Sequence, residues 1–463
     1  MNRAAAALAP AVPAPVLPAA PPVPETVEDT GLSREAIADL LLKILYVQGA
    51  RSGQQVVDFI RLPFPLVDER LLELQQARLV EVRSARGAGR GGYIFDLTGS
   101  GRERAREAMT ASHYVGAAPV PLEQYRAWVD RQSIRKVHVT RERMEAAFAG
   151  MVLAPETLEM LGPAVNSAKS LFLYGEPGNG KSRIAETLAQ LLGGALYLPY
   201  AVDIDGEIMV VYDPVYHSPV PDPAESGPEG GDEPTWLRAI PEHDRRFAYV
   251  TRPVVITGGE LTLEQLDLQY DTFTKLYQAP FQVKANGGVL IIDDFGRQRV
   301  PPRELLNRWI VPLEKRIDFL TLHTGSKFPM PFDCLLVLGT NLSPGDLVEE
   351  AFLRRIHYKL RVPGPTRRQY EEIFRRCCAE RGIGYEPRAV EQIYRDYYER
   401  SGIAPRGCHP RDILDHVCDL ARYRQEAATL ARDLLERSCS SYFLDLSERR
   451  EPRSTPAGET EES

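Results

Sequence analysis

Hydrophobic spacing divides the chain into stretches with different periods. Behind Ser33, the apolar residues Ile37, Leu40, Leu41, Ile44 and Leu45 recur at helical intervals, and Ser33 itself suits an N-cap. The pattern predicts a second helix over 54–60 and a third over 66–77. "LVEVRS" then alternates as a strand, "ARGAGRGG" supplies a hairpin tip, "YIFDL" returns, and a last helix follows Thr98. Farther along, Leu171 to Tyr174 and Val289 to Ile292 are short apolar runs of the kind that form buried strands. Phe319 to Thr324 and Lys327 to Phe332 flank Gly325-Ser326 as a hairpin, and Leu335 to Leu338 make another buried strand. Residues 366–445 return to helical stripes, among them Tyr370, Ile373, Phe374 and Val390, Ile393, Tyr394.

Composition sets limits on this picture. With 463 residues, 43% hydrophobic and 26% charged, the chain has room for two or three globular domains. The net charge of −8 argues against coating nucleic acid through the overall field. No apolar run is long enough to span a bilayer, so no membrane insertion is expected. The first residues carry Arg and Ala like a signal peptide, but their prolines interrupt any apolar helix and imply an unfolded tail. Cys334, Cys377, Cys378, Cys408, Cys418 and Cys439 form no regular framework, which fits reduced thiols and a cytoplasmic location. The expected organisation is a Pro/Ala-rich tail (1–28), a small domain (29–112), a linker (113–140), a core (141–365), a helical domain (366–445) and a disordered end (446–463). Within the core, 218–234 is rich in Pro, Gly and acid and reads as a solvated loop.

The densest chemistry lies in "LFLYGEPGNGKS". Gly175, Glu176, Pro177, Gly178, Asn179, Gly180, Lys181 and Ser182 fit G-x-x-x-x-G-K-[ST], between a strand and a helix expected over 183–192. The glycines let successive N–H groups turn toward phosphate oxygens, and the helix N-terminus adds its dipole. Lys181 is placed to reach the β- and γ-phosphates of ATP, and Ser182 to ligate Mg²⁺. In "GGVLIIDDFGR", Asp293 and Asp294 stand at a strand end: the first to hold Mg²⁺ through its water shell, the second to orient an attacking water.

Together these residues resemble the AAA+ ATPases over roughly 140–445, and the hairpin before Leu335 resembles the pre-sensor-1 hairpin branch, which includes MoxR-like proteins. The resemblance implies an α/β fold: a P-loop NTPase core with a parallel sheet and an α-helical lid. It departs from the family at Asp294, where Glu is usual; the shorter side chain sets the base back by about 1.5 Å. Asn341 matches sensor 1. Arg355, with Arg354 as fallback, matches the arginine finger, which acts on a neighbouring subunit's nucleotide and is worth about 10³–10⁵ in rate. Arg411 matches sensor 2 better than Arg406 does. Family precedent implies a homo-oligomeric ring, a hexamer among its sizes. Tyr270 and Tyr277 fall in the interval where a pore-facing aromatic is expected. Cys408, His409, His416 and Cys418 match no common zinc spacing, so no metal is expected on them.

Three helices and a β-hairpin in the N-terminal domain resemble a winged helix-turn-helix, a small α+β domain whose third helix usually reads DNA. Here that helix is acidic: Asp68, Glu69 and Glu73 outnumber Arg70. Phosphate repels such a surface, which leaves the wing residues Arg83, Arg86 and Arg90 as the contacts available to a nucleic acid backbone. The favoured function is ATP-driven, chaperone-like remodelling of an unknown protein substrate or adaptor. The alternatives are an ATP-controlled DNA-acting regulator and a low-turnover assembly scaffold. "GAFTGA", through which enhancer-binding relatives contact sigma factor, is absent.

Overall fold

The computed structural model describes residues 20–85, 89–220, 243–343, 345, 354–400 and 402–447. Its centre is a five-stranded sheet in the order Val254–Thr257, Val289–Ile292, Leu335–Thr340, Leu171–Tyr174, Tyr358–Arg361, every pair parallel. Parallel strands are buried on both faces, which is why these segments read as unbroken apolar runs. Alternation then sends Leu171 and Leu173 to one face, against the helices Pro155–Ser167 and Lys181–Leu192, and Phe172 to the other, against Phe295 and Trp309.

A second five-stranded sheet, of mixed direction, runs Gln269–Asp271, Leu276–Gln278, Glu207–Val210, Ala201–Ile204, Val120–Pro121. The first two of these strands flank Asp271 to Lys275, where the chain turns. The N-terminal module packs on this sheet: its helices Arg34–Gln48, Gly53–Ile60 and Phe64–Gln76 share a core with Ala201, Ile208 and Val210. Its strands Val80–Ala85 and Tyr93–Leu97 pair antiparallel, and Arg51–Ser52 adds a short third. At the other end, the helices Arg367–Glu380, Pro387–Ile393, His409–Arg424 and Arg432–Ser447 enclose a separate core around Phe374, Ile393, Leu414 and Cys439.

Several expectations need correction. Residues 20–28, assigned to an unfolded tail, are placed: the Pro21 carbonyl accepts from the Asp244 N–H, and Val27 is buried in a short helix capped by Thr26 and Asp29. Composition hid this because proline-rich segments can still dock on a surface others supply. Residues 113–140, assigned to a linker, are built into the fold. Val120–Pro121 joins the second sheet, and the helix Leu122–Arg131 buries Tyr125, Trp128 and Val129. Prolines there start an element instead of breaking one. The predicted hairpin is present as Ile317–Thr321 and Lys327–Pro331. The final helix runs to Ser447, past the boundary at 445. The acidic stretch beyond residue 220, the wing residue Arg86 and the expected end beyond 447 lie outside the described residues. Among the described residues, no helix is long and apolar enough to cross a membrane.

Candidate functional site

Three strand ends of the central sheet deliver the site. The strand Leu171–Tyr174 runs into the glycine-rich loop, where Gly175, Gly178 and Gly180 take φ of 133°, 80° and 86°. A side chain at Gly175 is also excluded by contact, since a Cβ there would lie 2.5 Å from the Val362 carbonyl oxygen. The helix Lys181–Leu192 then begins at Gly180, so the loop amides and the helix dipole face the same region.

Lys181 is buried and its ammonium donates to the carbonyls of Gly175 (2.8 Å) and Glu176 (3.0 Å) and to Asn341 Oδ1 (2.6 Å). Burial lowers its pKa; the charges of Asp293, Asp294 and Glu176 oppose that shift. Ser182 Oγ donates to Asp293 Oδ2 at 2.6 Å. Gly339 on the neighbouring strand leaves room for that carboxylate, because a Cβ there would meet Asp293 Oδ1 at 2.9 Å. Asp294 is exposed and holds a left-handed backbone with φ of 50°, uncommon for a residue with a side chain. Its Oδ1 accepts from Asn341 Nδ2 at 3.0 Å. Asn341 therefore links the loop lysine to the second acid, and the strands carry these residues from positions up to 160 apart into one cluster.

The hydroxyl of Ser182 and the carboxylate of Asp293 are hard oxygen donors, adjacent and partly open to solvent, and so fit Mg²⁺ that keeps most of its waters. The loop and Lys181 fit a triphosphate. Bound there, the metal would supply charge neutralisation between phosphate oxygens.

The arginines are distributed less simply. Arg355 lies in a turn and pairs with Glu314 at 2.7 Å. Arg354 is exposed beside it. Arg411, at the start of the helix His409–Arg424, is 62% exposed and pairs with Asp412. Arg406 approaches the loop instead, 3.7 Å from Glu176 Oε2. The segment around it clasps the loop through its backbone. The Cys408 N–H donates to the Gly178 carbonyl (2.8 Å), and the Gly407 N–H donates to Asn179 Oδ1 (3.1 Å). Sequence reading missed this clasp because its donors are the main-chain N–H groups of Gly407 and Cys408, which leave no residue-type signal. His409 and Cys408, weighed earlier as zinc ligands, sit among the tyrosines of the lid: His409 Nδ1 is 2.8 Å from the Tyr398 hydroxyl, and Cys408 Sγ is 3.9 Å from that of Tyr442. Tyr277 is core and bonds His323, while Tyr270 stacks on the His323 ring at 4.1 Å. Both are tied into the packing of two hairpins. The exposed aromatic of that strand pair is Phe273, at 79%.

Residues 366–441, the lid, match the model of a domain of unknown function, DUF8689. A 236-residue stretch is 25% identical to an "AAA ATPase forming ring-shaped complexes" of Corynebacterium jeikeium (strain K411), covering 46% of this chain. The match spans 41% of that relative, less than half its length. Among solved structures, NtrX from Brucella abortus aligns over 62% of this chain and 55% of its own at 13% identity, with a TM-score of 0.37. The Thermotoga maritima RuvB Holliday junction branch migration motor aligns over 68% of this chain and 73% of its own at 15% identity, with a TM-score of 0.32. Parallel sheet, glycine-rich loop of the G-x-x-x-x-G-K-[ST] pattern, paired acids and helical domain together give this chain an α/β fold of the P-loop NTPase type.

Proposed function

We propose that the protein is an ATPase that assembles with copies of itself and uses ATP binding and hydrolysis to remodel a protein substrate. The observation that carries the reading is the Lys181–Asn341–Asp294 chain beside the Ser182–Asp293 pair. The loop lysine neutralises transferring phosphate charge, and the exposed Asp294, oriented by Asn341, is poised to take a hydrogen bond from attacking water. Arg406, Gly407 and Cys408 rest on the loop, so a change in loop geometry on binding or release of phosphate is transmitted to the lid. Arg406 replaces Arg411 as the preferred sensor 2 on this geometry. The ring-shaped assemblies of the Corynebacterium relative support self-association. Arg355 is the finger proposed to act across that contact.

Subunit mixing tests the reading. Lys181→Ala and Arg355→Ala proteins are each expected to have little ATPase alone. Mixed, they should regain part of it, because some interfaces pair an intact loop with an intact finger. Co-assembly without recovery overturns the trans role of Arg355. A wild-type protein that binds ATP but never turns it over instead favours the scaffold reading, consistent with the short reach of Asp294.

A further inference from the structure

A cavity of about 380 Å³ opens where the N-terminal module meets the second sheet, remote in the fold from the phosphate loop. Asp58, Phe59 and Arg61 line it from the end of one helix, Tyr114 from the segment that follows the module, and Tyr200 and Tyr212 from the sheet side. The Arg61 guanidinium lies 4.4 Å over the Tyr200 ring, and Tyr212 packs against Tyr200 with ring centroids 5.0 Å apart. The Tyr114 hydroxyl is already used, donating to the Ala117 carbonyl at 2.8 Å. Asp58 is partly neutralised by Arg245 at 3.4 Å. Among the described residues, the Arg61 side chain has that stacking contact and no carboxylate or carbonyl acceptor. Its backbone holds φ of 59°, at a helix end where glycine is the usual occupant.

We infer that this cavity binds a ligand joining a single carboxylate to a flat aromatic body. A guanidinium stacked on a ring keeps its planar N–H fork available, and that fork matches a carboxylate in bidentate fashion. The tyrosines and Phe59 supply faces and edges for the aromatic part. The volume falls in the range of about 300–1,000 Å³ typical of small-ligand pockets. A phosphate dianion is disfavoured, because Asp58 lines the same cavity and repels the second charge. An occupant would touch both modules at once and so hold their junction in one geometry.

The probe is N-acetyl-tryptophan, titrated into the full chain and followed by ligand-observed NMR, with N-acetyl-tryptophanamide and inorganic phosphate in parallel. Saturable binding of the acid, at least tenfold weaker binding of the amide and no competition by phosphate are expected. Arg61→Gly removes the guanidinium yet suits the left-handed backbone, so it should keep the melting temperature while losing at least tenfold in affinity. Tyr200→Leu, which removes the platform, should lose affinity as well. An acetylated, amidated Asp-Trp dipeptide presents the same groups from a protein chain. Whichever of dipeptide and free acid binds more tightly identifies the source, and saturable binding of either supports the site. Equal affinity for acid and amide, displacement by phosphate, unchanged affinity in Arg61→Gly, or no saturable binding of either acid overturns it.

Discussion

Charge does different work at the strand ends of the central sheet and in the acidic helix Phe64–Gln76. In the core, Lys181, Asp293, Asp294 and Asn341 come from three strand ends and meet at one place. On the helix, charges cancel close to home. Arg70, buried, pairs with Glu69 and Glu73; Asp68 pairs with Arg90 of the hairpin, and Arg34 lies near Glu73. A parallel sheet gathers its functional groups at the carboxyl ends of its strands, so convergence from distant sequence marks a site. Pairing within one module, as between Asp68 and Arg90, marks a surface whose charges are already satisfied. Counting charges alone does not separate the two cases.

The strongest way to break this contrast is Lys181→Ala. The ammonium is expected to make about two charge-assisted bonds to phosphate, each worth about 1.5–3 kcal/mol. Its loss also removes a positive charge that faces Asp293 and Asp294. ATP affinity by calorimetry should fall about 10³-fold, with unchanged far-UV circular dichroism. Affinity within tenfold of wild type would show that convergence here does not mean phosphate binding. Glu73→Ala on the helix, by contrast, should leave ATP affinity unaltered.

The core was legible because its signals are local in sequence. "LFLYGEPGNGKS" and "GGVLIIDD" each state strand, turn and chemistry in one stretch, and the structure places their ends together. What stayed hidden depends on long-range partners. Val120–Pro121 becomes a strand because Ala201–Ile204 lies beside it, and nothing in "APVPLEQYR" announces that. The buried Arg246–Asp244 pair, which fastens the Thr30 and Pro119 carbonyls, was equally invisible. Arg411 was preferred to Arg406 by its place in a motif, whereas the turn before the helix carries Arg406 to the loop. A turn's direction is a three-dimensional property that spacing does not encode.

An effect of intermediate size concerns His409, which sits beneath the clasp on the loop. Its Nδ1 lies 2.8 Å from the Tyr398 hydroxyl and accepts from the Arg406 N–H at 3.3 Å. Burial, with some help from the Arg406 charge, pushes its pKa down to about 4 from an ordinary value near 6.5. The folded lid therefore keeps His409 neutral while the unfolded chain takes up a proton. Its contribution is complete above about pH 6.5 and is lost as pH falls through 4, by about 3 kcal/mol in all. Urea midpoints between pH 7 and 4 should show this loss in wild type and a flatter profile in His409→Gln. Parallel profiles would mean that other groups govern the acid limb.

The smallest expected effect bears on the acidic helix itself. We propose that the N-terminal module makes protein contacts and does not read DNA sequence. A specific reader projects Arg, Lys, Asn or Gln at base edges while other side chains hold the phosphates. Here Arg70 is buried, Gln75 and Gln76 lie at the far end of the helix, and the two wing arginines among the described residues are engaged: Arg83 with Asp96 at 2.6 Å and Arg90 with Asp68 at 2.7 Å. Residual affinity should be weak, indifferent to sequence and steeply reduced by salt. The full chain is the right material, because the module shares its core with the second sheet. Fluorescence anisotropy against a randomised duplex pool, followed by selection at physiological salt, should enrich no motif. Glu69→Lys with Glu73→Lys should raise affinity at low salt and steepen the salt slope without creating sequence preference, since added positive charge meets phosphate and leaves base edges unread. A motif enriched with the wild-type chain would show that pairing close to home had not silenced the helix, and would favour the DNA-acting reading over the remodeller.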